Sequence, residues 1–364
     1  MDLRFKTNLL EHTKAVAAWA RLRGARTRID VADMSLTIEL GAGSSAPATP
    51  ADQAEPRQHT LHAQFVGKRE GQGLCYFDVA DLFARGFVGW LPYKPQAWDI
   101  SLSKLAFKAA ARELGLATPA HWTQAAFVDA PFLVKRSRGA FGDGMRGPFH
   151  ADHAAHLTLA EGEYCEAFKW GHIARAWYWG ECLAVLELFA MPCVTGDGES
   201  SYEALLRQGL GTAELPTDFA DIARLQDVRP FDVPQFGARI VCDYRYVSPF
   251  NPTVYANHNV LPRIKTQQIV RHFAEAGRRI LPRVASAAAV ASTSASASAS
   301  AFHSDAAGAS PSAKDAQVGF VLDAIVDAQG QPWFLEINSN PQLHPDLYGP
   351  MLDGICGLKP PQAG

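Results

Sequence analysis

The sequence lacks several features that would place it in a well-defined class. Its six cysteines form no Cys-x-x-Cys pair and have no histidine at zinc-ligand spacing, so we expect reduced thiols and no zinc site. No apolar run approaches the length of a membrane span, and the N-terminal segment lacks the apolar core of a signal peptide. The formal net charge of -3 gives no basic excess for nucleic-acid binding. These absences predict a cytoplasmic protein that binds neither membranes nor nucleic acid.

The chain has enough apolar material for a folded protein. Its 364 residues, 48% of them hydrophobic, can form two or three packed units. Residues 1–99 predict a small mixed α/β domain that begins with a helix over residues 9–23, terminated by Gly24. The other predicted elements of this domain are extended segments at 28–40, 61–66 and 74–77 and a short helix at 79–85.

Two strands near the C-terminus carry oxygen ligands at a useful spacing. Residues 318–326 and 332–337 are rich in Val, Ile, Phe and Leu, and the turn Asp-Ala-Gln-Gly joins them into a predicted hairpin. Strand alternation places Asp323, Glu336 and Asn338 on one face. Carboxylate and amide oxygens are ligands of hard divalent cations such as magnesium. The alternative is a hairpin with a polar solvent face, in which Asn338 belongs to the turn that follows.

Two segments upstream present lysines beside features that could hold phosphates. An amphipathic helix is predicted over residues 100–114, with Lys104 near its start. A short apolar strand ends in Lys135 and is followed by three glycines, which let the backbone turn and bring N–H groups to an anion: Gly139, Gly142 and Gly144. It is not a Walker A loop, because the lysine precedes the glycines. The alternatives are a solvated Lys104 and a surface loop beside a chance lysine.

The order of these segments resembles the ATP-grasp ligase superfamily. The likeness rests on Ser-x-Ser-Lys, on a strand lysine before Gly-x-x-Gly-x-Gly, and on an acidic strand followed by Glu-x-Asn-x-x-Pro, and it covers roughly residues 101–345. It implies an α+β fold in which two α+β subdomains grip ATP, after the small N-terminal domain. The expected bounds are 1–99, 100–163 and 164–358, the last interrupted by a disordered Ala/Ser-rich insertion at 285–316. A helical alanine tract is the alternative for that insertion.

The resemblance also implies roles for individual residues. Lys104 and Lys135, together with the glycine loop, would bind the nucleotide phosphates. Asp323, Glu336 and Asn338 would bind the metal. The linker that ends at 166–168 would hold the adenine ring, with contacts from Glu166, Ala167 and Phe168. Arg175 would face the phosphates or the acyl group, and a surface ion pair is the alternative for it.

The chain departs from the superfamily pattern at two places. His172 and Ile173 stand where a carboxylate often holds the ribose, so that ligand is unassigned and His172 reads as a turn residue. Val321 stands two residues before the first metal-binding acid, where the family often has an arginine. The group that would stabilise an acyl phosphate must then come from elsewhere in the chain, and Arg239 and Arg245 are the candidates.

The motif Val-Thr-Gly-Asp-Gly at 194–198 is similar to a segment of cyanophycin synthetase and of glutathione-forming ligases. The resemblance therefore implies an ATP-dependent carboxylate-amine ligase that forms an amide through an acyl phosphate and releases ADP and phosphate. Its cofactors would be ATP and magnesium, or manganese, and its partners a small-molecule or peptide acid and amine, with a homodimer as the expected assembly. A phosphotransferase on the same fold and a non-catalytic nucleotide-binding protein are the alternatives.

Overall fold

A computed structural model of the chain describes residues 3–41, 57–69, 73–78, 84–139, 144–210, 215, 218–245, 254–255, 263–296 and 317–358. These residues form several antiparallel sheets with helices packed on them, which confirms the predicted α+β class. None of the helices in these ranges combines the length and the apolar character that crossing a membrane requires.

The N-terminal unit is a helix on an antiparallel sheet. Helix α1 (Leu3–Arg23) ends at Gly24, whose φ of +63° confirms the predicted helix terminator. The five strands that follow pair in the order β1-β2-β3-β4, with β5 also on β3: β1 (Ala25–Ile29), β2 (Leu36–Leu40), β3 (Arg57–Arg69), β4 (Gly73–Phe77) and β5 (Ala84–Leu91). The prediction of a helix at 79–85 is wrong for residues 84 and 85, which belong to β5. Residues 79–83 lie outside the described residues.

The helix predicted at 100–114 is divided in two. Helix α2 (Asp99–Leu102) is separated from α3 (Lys104–Glu113) by Ser103, which has extended backbone angles. The Ser103 hydroxyl accepts a hydrogen bond of 3.2 Å from the Ala106 N–H and so caps α3. Helix α3 therefore begins at a lysine, and the lysine one turn later lies on the same face.

Four short strands form the sheet that carries the glycine loop. They pair antiparallel in the order β6-β9-β7-β8: β6 (His121–Trp122), β7 (Phe132–Arg136), β8 (Arg146–Phe149) and β9 (Glu163–Ala167). The strand predicted to deliver Lys135 is β7, and its Lys135 lies opposite Tyr164 of β9. The loop between β7 and β8 contains the three predicted glycines, of which Gly142 lies outside the described residues.

The remaining elements build a second sheet and a small satellite unit. They are β10 (His172–Trp179), β11 (Cys182–Phe189), β12 (Cys193–Thr195), α4 (Tyr202–Leu210), α5 (Phe219–Arg224), β13 (Arg239–Val241), β14 (Val254–Tyr255), α6 (Arg263–Ser296), β15 (Gly319–Val326), β16 (Pro332–Asn338) and α7 (Tyr348–Ile355). Five of the strands pair antiparallel in the order β14-β11-β10-β15-β16, and β12 pairs with β13 beside α4 and α5. The predicted hairpin is therefore confirmed as β15 and β16.

The two faces of the five-stranded sheet have different partners. Helix α6 packs on one face, where Phe273 and Ile280 meet Tyr178 and Phe320. The N-terminal unit and α7 pack on part of the other face, over Trp177, Trp179 and Val321, and share one apolar core with it. The remainder of that second face carries charged side chains next to the apolar residues Ile173, Phe189 and Ile325.

Helix α6 is longer than the sequence predicted. The predicted part ended at residue 283, but the helix continues to Ser296, into the tract expected to be disordered. Alanine has the highest helix propensity, and a serine in its place destabilises a helix by only about 0.5 kcal/mol. The helical alternative therefore describes 285–296, while 297–316 lies outside the described residues.

Candidate active site

A row of charged residues crosses the open face of the five-stranded sheet. Arg175 of β10 lies directly opposite Asp323 of β15 on one side and Glu187 of β11 on the other. Asp323 in turn lies opposite Glu336 of β16. Directly paired residues share a face, and neighbouring strands are about 4.8 Å apart. We call Glu187, Arg175, Asp323 and Glu336, in this order across the strands, the charged row.

Arg175 binds Asp323 in a two-pronged contact. Its Nε donates to Oδ1 at 2.7 Å and its Nη2 donates to Oδ2 at 2.9 Å. The Asn338 amide also donates to Oδ2, at 3.0 Å. These contacts place Asp323 and Asn338 on one face, as predicted. Arg175 thus forms an ion pair, which was the alternative for it, and the pair is only partly exposed, with the side chains of Arg175 and Asp323 at 23% and 12%.

Lys104 connects the hairpin to the glycine loop. Its ammonium lies 3.0 Å from Glu336 Oε2 and donates to the Gly139 carbonyl at 2.6 Å. The Lys104 amide N–H also bonds to the Ser137 carbonyl at 2.8 Å, which joins the first turn of α3 to the start of the loop. One lysine therefore contacts both the predicted phosphate segment and the predicted metal segment.

The glycine loop depends on backbone angles that other residues rarely adopt. Gly139 has a φ of +140° and Gly144 a φ of +71°. A Cβ at Gly144 would lie 2.8 Å from the Nε atom of Arg136. The described ends of the loop therefore favour glycine, in agreement with the sharp turn that the sequence predicted.

Two lysines, Lys108 of α3 and Lys135 of β7, flank Glu166 of β9. The Glu166 carboxylate, 1% exposed, lies 2.5 Å from the Lys135 ammonium through Oε1 and 2.6 Å from the Lys108 ammonium through Oε2. Burial opposes ionisation of Glu166, but Lys135 and Lys108 more than offset it and lower its pKa to about 2. Two ammonium groups against one carboxylate leave an excess of positive charge next to the glycine loop.

Lys108 is a site residue that the sequence analysis missed. It is fully buried, and burial lowers its pKa although the Glu166 charge acts in the opposite direction. The one available signal is its spacing, since Lys108 lies one helical turn after Lys104 in α3. A lysine at that position normally reads as part of a solvated helix face.

The linker differs from the expectation for an adenine site. The Glu166 side chain is committed to the two lysines. The Ala167 N–H donates to the Ala120 carbonyl at 2.8 Å, and the Phe168 N–H donates to the Pro131 carbonyl at 2.8 Å. An adenine ring would have to be held by groups other than these two amides, because both are already bonded within the protein.

An apolar cluster lies between the two sheets next to this linker. Phe168 packs there on buried side chains from both sides: Leu133, Ile173, Phe189, Met191 and Ile325. Leu335, the residue before Glu336, belongs to the same cluster. This arrangement offers apolar surface within a few residues of Lys135, of Arg175 and of the predicted metal ligands.

The two arginines proposed for the acyl phosphate lie in the satellite unit. Arg239 on β13 directs Nε and Nη2 to Cys193 Sγ at 3.3 and 3.0 Å. Arg245 forms an ion pair with Asp218 and lies 3.7 Å from Asp243. Neither arginine belongs to the charged row, which contains Arg175 instead. His172 is the first residue of β10, opposite Val326.

The N-terminal unit adds a tyrosine near the charged row. Tyr76 of β4 is partly exposed, burial raises the pKa of its hydroxyl, and the charges of Arg175 and Glu336 act on it in opposite directions. No sequence motif pointed to Tyr76, because its proximity arises from the packing of one unit on the other.

The donors on the hairpin suit a hard divalent cation in kind. Two carboxylates and an amide oxygen share a face, and such cations prefer these ligands together with phosphate oxygens. In the structure, Arg175 lies against Asp323 and Lys104 lies against Glu336, so both carboxylates already attract positive charge. The residues therefore fit the predicted metal site.

No protein-family model matches the chain, and no curated protein is similar to it in sequence. Solved structures similar to it include an L-amino acid ligase from Bacillus licheniformis, with a TM-score of 0.32, 12% identity and coverage of 66% of this chain and 40% of that one. A bifunctional glutathione synthetase from Pasteurella multocida has a TM-score of 0.38 and 12% identity, over 91% of this chain and 40% of that one. The ATP-grasp ligase PsnB has a TM-score of 0.31 and 13% identity, over 71% of this chain and 60% of that one.

The chain thus spans 40 to 60% of the length of these three proteins. Two of the three are named as ligases and the third as a synthetase. Similarity at this level identifies neither a substrate nor a mechanism.

Proposed function

We propose that the chain is an ATP-dependent ligase of the ATP-grasp type, which joins a carboxylate to an amine. The observation that carries the proposal is the position of Lys104, whose ammonium contacts both Gly139 in the glycine loop and Glu336 in the hairpin. A nucleotide with its phosphates at this point would meet a positively charged loop on one side and metal-binding oxygens on the other.

The positive side of the site is suited to a triphosphate. Lys104, Lys108 and Lys135 supply three ammonium groups; Glu166 lies against Lys108 and Lys135, and Glu336 lies against Lys104. Charge-assisted contacts from lysine to phosphate oxygens are stronger than neutral ones, and glycine-loop N–H groups add further donors. Glu166 holds the lysines in place while ATP is absent, which limits the cost of burying them.

The metal would be held by Asp323, Glu336 and Asn338. When bound, a divalent cation supplies charge neutralisation for the phosphate oxygens and helps to orient them. Arg175 would then be released from Asp323 toward the reacting groups, while its strand position keeps it in the charged row. We propose that Arg175, rather than Arg239 or Arg245, stabilises the acyl phosphate.

The reaction requires positioning more than protein nucleophiles. A carboxylate oxygen of the acid attacks the γ-phosphorus of ATP, the bond from that phosphorus to the bridging oxygen breaks, and ADP leaves. The amine nitrogen then attacks the acyl carbon, phosphate leaves with its oxygen, and the nitrogen loses a proton to give the amide. Fixed positive groups beside the developing charge, here Lys104 and Arg175, lower both barriers.

Nucleotide turnover tests the proposal. Purified protein with magnesium and ATP is incubated with pooled amino acids and short peptides, and ADP, AMP and phosphate are followed. We expect ADP and phosphate in equal amounts, dependent on particular pool members. Glu336→Ala should abolish the turnover, while Glu181→Ala, in the exposed turn between β10 and β11, should leave it unchanged.

The other outcomes separate the alternatives. ADP without free phosphate, together with a phosphorylated product, would indicate a phosphotransferase on the same fold. AMP would contradict the acyl-phosphate route. ATP affinity that is the same for the Glu336→Ala and unaltered proteins, with no turnover by either, would indicate a non-catalytic nucleotide-binding protein.

A further inference from the structure

A cavity of about 290 Å³ lies at the Glu187 end of the charged row. Three parts of the chain line it, and the residues that matter for its chemistry are Glu11, His12, Arg175, Trp177, Glu187 and His344. Helix α1 supplies the first two, strands β10 and β11 the next three, and the segment after β16 the last. The cavity thus joins the N-terminal unit to the strand that carries Arg175.

The two strand residues give the cavity a positive and a negative end. Arg175 directs its Nε and Nη2 toward Asp323, on the side away from Glu187. Glu187, with its side chain 17% exposed, lies 3.4 Å from His344 Nε2. His344 Nδ1 accepts a hydrogen bond of 3.2 Å from the Asp346 N–H, so Nε2 is the ring nitrogen that faces Glu187. His344 therefore helps to orient the Glu187 carboxylate.

The wall contributed by α1 adds little compensating charge. His12 is buried, its Nδ1 lies 2.9 Å from the Tyr348 hydroxyl, and that hydroxyl accepts from the Trp90 N–H. Burial lowers the pKa of His12 to about 4, so its imidazole is neutral at pH 7. Glu11 is exposed and already pairs with Lys14 at 2.8 Å. The carboxylate of Glu187 is thus the charge inside the cavity that favours a cationic ligand group.

We propose that this cavity binds the ammonium group of the acid substrate, which is a small amino acid with a free amine. The ammonium lies at Glu187, and the carboxylate that becomes phosphorylated points along the charged row to Arg175 and Asp323. This assignment rests on the proposed ligase function, because it takes the Asp323 end of the row as the place of ATP.

The dimensions agree with a ligand of that size. Ligand sites commonly measure about 300 to 1,000 Å³, so a cavity near the lower limit suits a single amino acid. Glu187 and Arg175 lie directly opposite each other on neighbouring strands, about 4.8 Å apart. One small amino acid can therefore place its ammonium at the Glu187 carboxylate and its carboxylate at the Arg175 guanidinium.

The same contact determines which amine reacts. A carboxylate beside an ammonium favours the protonated form, which has no lone pair for attack. The amine held at Glu187 therefore does not attack the acyl phosphate, and the second substrate supplies the nucleophilic amine. The product retains the free amine of the first amino acid.

The test uses saturation-transfer NMR on the full chain without nucleotide. One pool contains the proteinogenic amino acids and the other their N-acetyl derivatives, which retain the carboxylate but not the ammonium. We expect signals from members of the first pool and none from the second. Glu187→Gln should weaken those signals about tenfold or more, since it removes a charged hydrogen bond. Glu187→Asp should restore part of the binding, and Glu181→Gln is the matched control in the same hairpin.

Affinity for ATP with magnesium, measured in parallel, separates this inference from the proposed function. Equal signals from both pools, or unchanged binding by Glu187→Gln, would overturn the ammonium site while leaving the ligase proposal intact. ATP binding without signals from either pool would also count against the ammonium site. If the unaltered protein does not bind ATP, the proposed function is overturned, whichever amino acids or derivatives give NMR signals.

Discussion

The two sheets that meet at the candidate site handle charge in different ways. On the four-stranded sheet, Glu166 is 1% exposed and pairs with the fully buried Lys108 of α3, so their charges are neutralised inside the protein. On the five-stranded sheet, Arg175 and Asp323 are 23% and 12% exposed. A buried charge cannot lose its partner without a large desolvation cost, whereas a partly exposed one can exchange its partner for water or a ligand. The first region is therefore suited to support the site, and the second to bind.

The largest effect is expected from Glu166→Gln. This change removes the carboxylate between Lys108 and Lys135 and leaves two buried ammonium groups close together. We expect a loss of about 3–5 kcal/mol in the free energy of unfolding, measured by urea denaturation at pH 7. Lys108→Met should cost less, because Lys135 still pairs with Glu166. A loss below about 1 kcal/mol for Glu166→Gln would show that water reaches this cluster and that the two regions do not differ.

Acid titration tests a second buried group without involving the lysine pair. The folded state holds the pKa of His12 at about 4 against an ordinary value of 6.5, so below pH 6.5 the unfolded chain binds a proton that the folded chain refuses. Stability from this group is complete above pH 6.5 and falls by about 3 kcal/mol as the pH drops to 4. The contribution of Glu166 remains in most of this window, because its ordinary pKa is 4.5 and its folded value about 2.

The measurement is the free energy of unfolding at pH 7, 6, 5 and 4 for the unaltered protein and for His12→Asn. The variant should lose stability less steeply as the pH falls. Parallel curves would contradict a neutral, buried His12 in the cavity wall.

Arg175→Lys should act on turnover rather than on stability. Lysine keeps the charge but loses the planar, two-pronged contact with Asp323. We expect turnover with the pooled substrates to fall about 100-fold, and the free energy of unfolding to change by about 1 kcal/mol or less. Arg207→Lys is the matched control, because Arg207 pairs with Glu203 on the exposed surface of α4. Equal turnover of the two variants would argue against a role for Arg175 in the reaction.

The smallest effect on stability is expected from Asp323→Asn. The arginine left behind is partly exposed and can be hydrated, so we expect a loss of about 1 kcal/mol or less. A loss as large as that of Glu166→Gln would abolish the contrast between the two sheets. Urea denaturation of both variants in one buffer decides the point.

Local patterns explain what the sequence predicted correctly. The alternation of β15 and β16 and the turn between them lie within one hairpin, so the shared face of Asp323, Glu336 and Asn338 could be inferred from spacing alone. The glycine positions at the loop follow from local backbone angles in the same way. These features depend on neighbours a few residues away in the sequence, or across one hairpin.

The features that were missed depend on distant parts of the chain. Arg175 faces Asp323 because β10 lies between β11 and β15, and strand order in a sheet is not encoded in either strand. Lys108 is buried and pairs with Glu166 of β9, a contact between distant parts of the chain that a helical pattern does not reveal. The division at Ser103 is a local signal, since its hydroxyl caps α3, but the amphipathic pattern that continues through it hid the break.

The contact between the first and the last helix sets an order of events during synthesis. His12 meets Tyr348 336 positions later, and Trp19 and Arg23 of α1 both donate to Asp353 of α7. At about 5–20 residues per second, a ribosome needs roughly 17–67 seconds to deliver the partner of α1. Through that interval the apolar face of α1 lacks the cover that α7 gives it in the folded protein. The cavity between α1 and the charged row is therefore among the last parts of the molecule to close.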